Sequence, residues 1–92
     1  MIRSFRDKDT EAVAQGRRVR RLEPIVERAR NKLRMIEAAV SIDDLRVPPG
    51  NRLERLEGDR AGLWSIRIND QWRVCFQWRD QAAWNVEIVD YH

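Results

Sequence analysis

The spacing of hydrophobic positions changes once along this chain, at Pro48-Pro49-Gly50. Before that point it is helical. Ile25, Ala29, Leu33, Ile36 and Val40 recur at steps of four, four, three and four, the stripe of a helix that buries one face. Pro24 suits the first turn of that helix. Arg28, Arg30, Lys32 and Arg34 lie mostly off the stripe. A shorter helix precedes it, capped by Asp7 or Asp9 and ending at Gly16. Ile2-Arg3-Ser4-Phe5 reads as a short first strand, and Ser41 with Asp44 as a capping pair for one further turn.

After the prolines the period is two. Trp64, Ile66 and Ile68 alternate with Ser65 and Arg67. Trp72, Val74, Phe76 and Trp78 alternate with Arg73, Cys75 and Gln77. Trp84, Val86 and Ile88 alternate with Asn85 and Glu87. These are three half-buried strands with every large apolar residue at an even position, which puts all four tryptophans on the core face. The shared parity predicts a register. Ile68 faces Trp72 and Ile66 faces Val74 only if Asn69-Asp70-Gln71 is a three-residue loop. The same register sets Arg67 opposite Arg73. Directly opposed like charges are unfavourable in a sheet, so an anionic partner or a nearby carboxylate is expected there, with Glu87 as a candidate. The fold class is therefore α+β: two N-terminal helices on the even face of a twisted antiparallel sheet, in a single domain spanning 1–92. The odd face stays polar, with Ser65, Arg67, Arg73, Cys75, Gln77, Asn85 and Glu87.

Composition narrows the class of function. Residues 1–46 carry 12 basic and 8 acidic groups, so +4, and residues 47–92 carry 6 and 7, so −1. The basic excess is N-terminal and helical. Of the basic residues only Lys8 and Lys32 are lysines. Arginine suits bidentate phosphate contacts, although a GC-rich genome would also enrich it. A single cysteine, Cys75, rules out an internal disulfide framework and a multi-cysteine zinc site, and that thiol is read as inert. No apolar run approaches the length of a membrane span, and no signal peptide is evident, so a cytoplasmic location without membrane partners is expected.

The last three residues, Asp90-Tyr91-His92, follow the third strand, and His92 is the only histidine. A strand that delivers Tyr91 and His92 to its end, with Arg67 and Arg73 on earlier strands, suits holding a phosphate and moving a proton. A frayed polar tail is the plainer alternative.

These residues together resemble the HigB branch of the RelE/ParE toxin superfamily, the plasmid-maintenance killer proteins. The likeness is carried by Leu56–Trp78 with its Gly58-Asp59-Arg60 turn and Trp72-Arg73 strand, and by the terminal Val86–His92. Met1–Phe5 and Pro48–Leu53 share it. The resemblance implies a RelE-like fold and the toxin of a type II toxin–antitoxin pair. It implies an endoribonuclease that cuts mRNA in the ribosomal A site and so inhibits translation and growth. The chemistry is attack of a ribose 2′-OH on the adjacent phosphate, with no metal or other cofactor. Arg73 would neutralise the scissile phosphate. Tyr91 and His92 would orient the nucleotide and transfer protons, and Asp90 would hold His92 or contact the 2′-OH. Arg67, Arg60 and Arg55 would bind the RNA backbone. The implied partners are a helix-turn-helix, HigA-like antitoxin, the ribosome with its mRNA, and operator DNA only through the antitoxin complex. Glu54 and Glu57 depart from relatives that carry basic or imidazole side chains there. They leave open a weakly active toxin serving mainly as antitoxin partner and operon co-repressor. A ParE-like toxin directed at gyrase is the other alternative, but it has no need of Asp90-Tyr91-His92.

Overall fold

The computed structural model describes residues 1–57 and 62–90. Asp7, in extended conformation, accepts a hydrogen bond from the Thr10 amide and caps α1, Lys8–Ala14. The chain leaves α1 through Gly16 at φ +82°, a conformation that favours glycine. A 3-10 turn at Arg20–Ile25 holds Pro24 and leads into α2, Val26–Ala38. Ile25, Ala29, Leu33 and Ile36 are buried as the stripe required. Val40 is not. Helix α2 stops at Ala38 and Ala39 is extended, so the helical period lapses before Val40, which is 69% exposed while Ala39 is buried in its place. Ser41 and Asp44 form the reciprocal capping box of a short 3-10 turn, Ile42–Arg46.

Four antiparallel strands follow in sheet order β1-β2-β3-β4: β1 Glu54–Arg55, β2 Leu63–Arg67, β3 Trp72–Arg79 and β4 Ala82–Asp90. Ile66 pairs with Val74 and Arg67 with Arg73. Asn69-Asp70-Gln71 form the connecting loop, and Asn69 Oδ1 accepts from the Gln71 and Trp72 amides at 2.8 Å each. The first segment makes two isolated parallel bridges to β4, at Ile2–Ala83 and Phe5–Val86, in place of a full strand. With Thr10 Oγ1, which accepts from the Ile88 amide at 2.9 Å, it occupies the outer edge of β4.

Ile66, Ile68, Val74, Phe76, Val86 and Ile88 are buried against Val13, Leu22, Ala29, Leu33 and Ile36 of the helical layer. Trp64, Trp72 and Trp78 pack against this core. Trp84 departs from the expected parity. Cys75 pairs with Glu87 and Gln77 with Trp84, so β4 takes three steps where β3 takes two. The extra residue is a β-bulge. Within it Asn85 takes φ +54°. The bulge turns Trp84 onto the face of Gln77, where the Arg79 guanidinium lies 4.1 Å from its ring centroid.

Candidate active site

The odd face of the sheet is more enclosed than its polar composition suggests. Ser65 and Cys75 are buried, and Arg73 is only 8% exposed. Arg73 Nε donates to Ser65 Oγ at 2.8 Å, and Nη2 donates to the carbonyls of Arg52 at 2.7 Å and Ser65 at 3.4 Å. The Arg52 carbonyl reaches it because Arg52, at φ +45°, turns the chain from the Pro49–Asn51 turn towards β1. Strand β1 is positioned by the Glu54–Ser65 and Arg55–Trp64 pairs. Directly paired residues share a face. Glu54 therefore lies on the side of Ser65 and Arg73, with its Oε1 3.9 Å from Arg73 Nη1.

The opposed arginines are thus balanced by two carboxylates, neither of them Glu87. Arg67 pairs with Asp70 in the β2–β3 loop, and Arg73 with Glu54. Glu87 faces Cys75 and lies 3.8 Å from Arg6. Arg52, Glu54, Arg67, Asn69, Asp70 and Arg73 line an open polar cleft of about 310 Å³. Such a cleft can receive an anion between its guanidinium groups while presenting a carboxylate beside it.

The expected site residues are distributed unevenly around this cleft. Arg67 and Arg73 line it together. Asp90 pairs with Trp72, on the core-side face, and accepts from Gln71 Nε2 at 3.1 Å. Arg55 also lies on the core-side face, with its guanidinium 5.8 Å from the Trp64 ring centroid. Arg60, Tyr91 and His92 fall outside the described residues. Four cleft residues lie outside the expected site set: Asn69 and Asp70 of the β2–β3 loop, and Arg52 and Glu54 at the edge strand. For Arg52 and Glu54 the available signal was the Pro48–Leu53 segment: a proline-rich turn ahead of a short edge strand brings the residues beside it against the next strand.

Comparison with known proteins places this chain in a family. Residues 3–92 match a family described as the RelE-like toxin of type II toxin–antitoxin system HigB. The chain is 45% identical over 87 residues to Toxin HigB-1 of Vibrio cholerae serotype O1, covering 92% of each chain. It is 37% identical over 71 residues to Endoribonuclease HigB of Proteus vulgaris, covering 73% of this chain and 72% of that one. Among solved structures, the YoeB-YefM complex from Staphylococcus aureus has a TM-score of 0.62 at 17% identity, over 100% of this chain and 98% of that one. A YafQ mutant from E. coli has a TM-score of 0.63 at 11% identity, over 98% and 93%. These two likenesses establish the fold. The chain belongs to the HigB-like family, the RelE-like toxins of type II toxin–antitoxin systems.

Proposed function

We propose that the chain is a ribosome-dependent mRNA endoribonuclease that cleaves by 2′-OH attack, and that the cleft around Arg73 holds the scissile phosphate. The observation that carries the reading is the pairing of Arg67 with Arg73 across β2 and β3 inside one polar cleft. Two guanidinium groups meet the charge that grows on the non-bridging oxygens as the phosphorane forms. Arg73 is held by Ser65 and the Arg52 carbonyl, so its guanidinium is preorganised and little reorganisation is needed when charge develops.

In this reading Glu54 is the base. Its carboxylate is ion-paired to Arg73 and more than half exposed, so a ribose hydroxyl can reach it. It takes the 2′-OH proton as the oxygen attacks phosphorus, and the bond from phosphorus to the 5′-oxygen breaks. The products are a 2′,3′-cyclic phosphate and a 5′-OH. His92 and Tyr91 supply the proton to the departing 5′-oxygen and orient the nucleotide, with Asp90 supporting His92. Arg55 and Arg60 extend the backbone contacts. The identity to Endoribonuclease HigB supports the activity. The ribosome supplies the substrate geometry that so few side chains cannot impose alone.

A toxin of this kind acts in the cytoplasm, where the programmed ribosomes are. Its antitoxin is a small helix-turn-helix protein, which carries the pair to operator DNA. The test is single-turnover cleavage of the same mRNA, naked and on programmed ribosomes, by wild type and by Arg67→Ala. Strong cleavage only on ribosomes, reduced on the order of a hundredfold by Arg67→Ala, is the expected result. Equal cleavage of naked and ribosome-bound mRNA would overturn the reading.

A further inference from the structure

We infer that the groove where Arg28, Asn31 and Lys32 of α2 face Arg67 of β2 is a second RNA phosphate subsite, continuing the strand away from the Arg73 cleft. This inference rests on reading that cleft as an RNA site. The groove measures about 210 Å³ and is lined by Arg28, Asn31, Lys32, Gly50, Arg67 and Ile68. Arg67 lines both it and the Arg73 cleft, so the two are contiguous.

The charge in this groove is concentrated and lightly compensated. Arg28, Asn31 and Lys32 stand at i, i+3 and i+4, so they share one face of α2. Like charges four residues apart repel on a helix. Among the described residues neither Arg28 nor Lys32 has a carboxylate within ion-pair distance, and the carboxylate on Arg67 belongs to the exposed loop residue Asp70. Lys32 is also held in place. Its Nζ donates to Asn51 Oδ1 at 2.6 Å, and the buried Asn51 amide donates to the Leu45 carbonyl at 3.2 Å. Burial lowers the pKa of Lys32, and the charges of Arg28 and Arg67 lower it further. A phosphate in the groove would relieve that repulsion. Gly50 carries no side chain where a sugar-phosphate strand would lie against the chain, and a Cβ there would meet open space.

The chemistry is that of an RNA backbone, from the message or from ribosomal RNA. The test uses Arg28→Ala, an exposed change that leaves Lys32 anchored to Asn51. The probes are a labelled 2′-O-methyl oligoribonucleotide of about ten nucleotides, a dinucleoside monophosphate, and ribosomes without message. Weaker oligonucleotide binding, by about tenfold, supports a message subsite if dinucleotide affinity is unchanged and the salt slope is shallower by about 0.7. Loss confined to ribosomes without message supports the subsite with ribosomal RNA as its source. Equal loss for both short and long probes, no loss on any probe, or loss only of antitoxin binding overturns it. Because binding is read without cleavage, failure of the nuclease reading shows instead as an inactive wild type or an active Arg67→Ala variant.

Discussion

Glu54 and Arg73 meet on the polar face of the sheet, carboxylate Oε1 3.9 Å from guanidinium Nη1. From sequence alone Glu54 is an acid placed where it repels phosphate. In the fold it faces an arginine that is already committed to Ser65 and the Arg52 carbonyl. The pair therefore joins a fixed cation to an accessible carboxylate. The half-exposed Glu54 retains freedom that the enclosed Arg73 does not have.

The enclosure of Arg73 changes what its removal does. Alternation along β3 places it on the polar face and suggests a change there that spares the fold. Arg73→Ala instead strips Ser65 Oγ and the Arg52 carbonyl of their donor and leaves a gap beside Cys75. A loss of about 2 kcal/mol in stability is expected along with loss of cleavage. Arg73→Lys keeps the charge but not the planar fork that reaches both acceptors, so it should cleave poorly while melting closer to wild type. Paired melting curves and single-turnover cleavage measure both effects. An Arg73→Ala variant that melts like wild type would show that these hydrogen bonds contribute little.

Much of this architecture was legible because it is set by neighbours in sequence. The Asp7 cap, the Ser41–Asp44 box and the Asn69-Asp70-Gln71 loop are each specified within four residues, and the parity of β2 and β3 follows from the loop. The misplacements arise where a local period is interrupted. Val40 continues the helical spacing past the point where the helix ends. Trp84 continues the strand alternation past a bulge, and Asn85 at φ +54° carries no hydrophobic signal of that bulge. Strand β1 spans two residues, too short to show a period, so the arrival of Glu54 and the Arg52 carbonyl at Arg73 is a long-range event. The site was half visible for the same reason: Arg67, its partner Asp70, and Arg73 with Ser65 belong to one hairpin, whereas the Glu54 carboxylate and the Arg52 carbonyl that meet Arg73 come from elsewhere in the chain.

The β3–β4 turn offers a stability test independent of the site. Asp80 and Gln81 both take positive φ, 53° and 59°, as a two-residue type I′ turn demands. Aspartate tolerates this conformation, but glutamine gains nothing from it. Gln81→Gly relieves roughly 1–2 kcal/mol of left-handed strain and gives back roughly 0.5–1 kcal/mol in chain entropy. A rise in Tm of roughly 4 °C is expected with cleavage unchanged. A fall in Tm would mean that the Gln81 side chain makes a stabilising contact.

The proton-transfer assignment at the C-terminal Asp90-Tyr91-His92 is tested by His92→Gln. No other imidazole exists in the chain to replace it. Positioned acid–base groups contribute on the order of a hundredfold or more. Single-turnover cleavage on programmed ribosomes should fall by at least that factor, with the products unchanged in kind. A variant that cuts at the wild-type rate would leave the leaving-group proton to Tyr91.

Glu54→Gln separates the two meanings of the Glu54–Arg73 pair. If Glu54 accepts the 2′-OH proton, glutamine removes the base while keeping the size and a hydrogen-bonding oxygen. Cleavage then falls on the order of a hundredfold. Substrate binding holds or improves, because a negative charge has left the phosphate site. If Glu54 only competes with phosphate for Arg73, the same change raises cleavage, by about fivefold for each 1 kcal/mol of repulsion relieved at high dielectric. The fold should tolerate either outcome, since the Glu54 side chain is 54% exposed and Arg73 keeps its bonds to Ser65 and Arg52. The measurement is single-turnover cleavage on programmed ribosomes at saturating and at limiting protein. A fall at saturation assigns the proton to Glu54. A rise removes it from the mechanism and marks this chain as a toxin restrained by its own carboxylate.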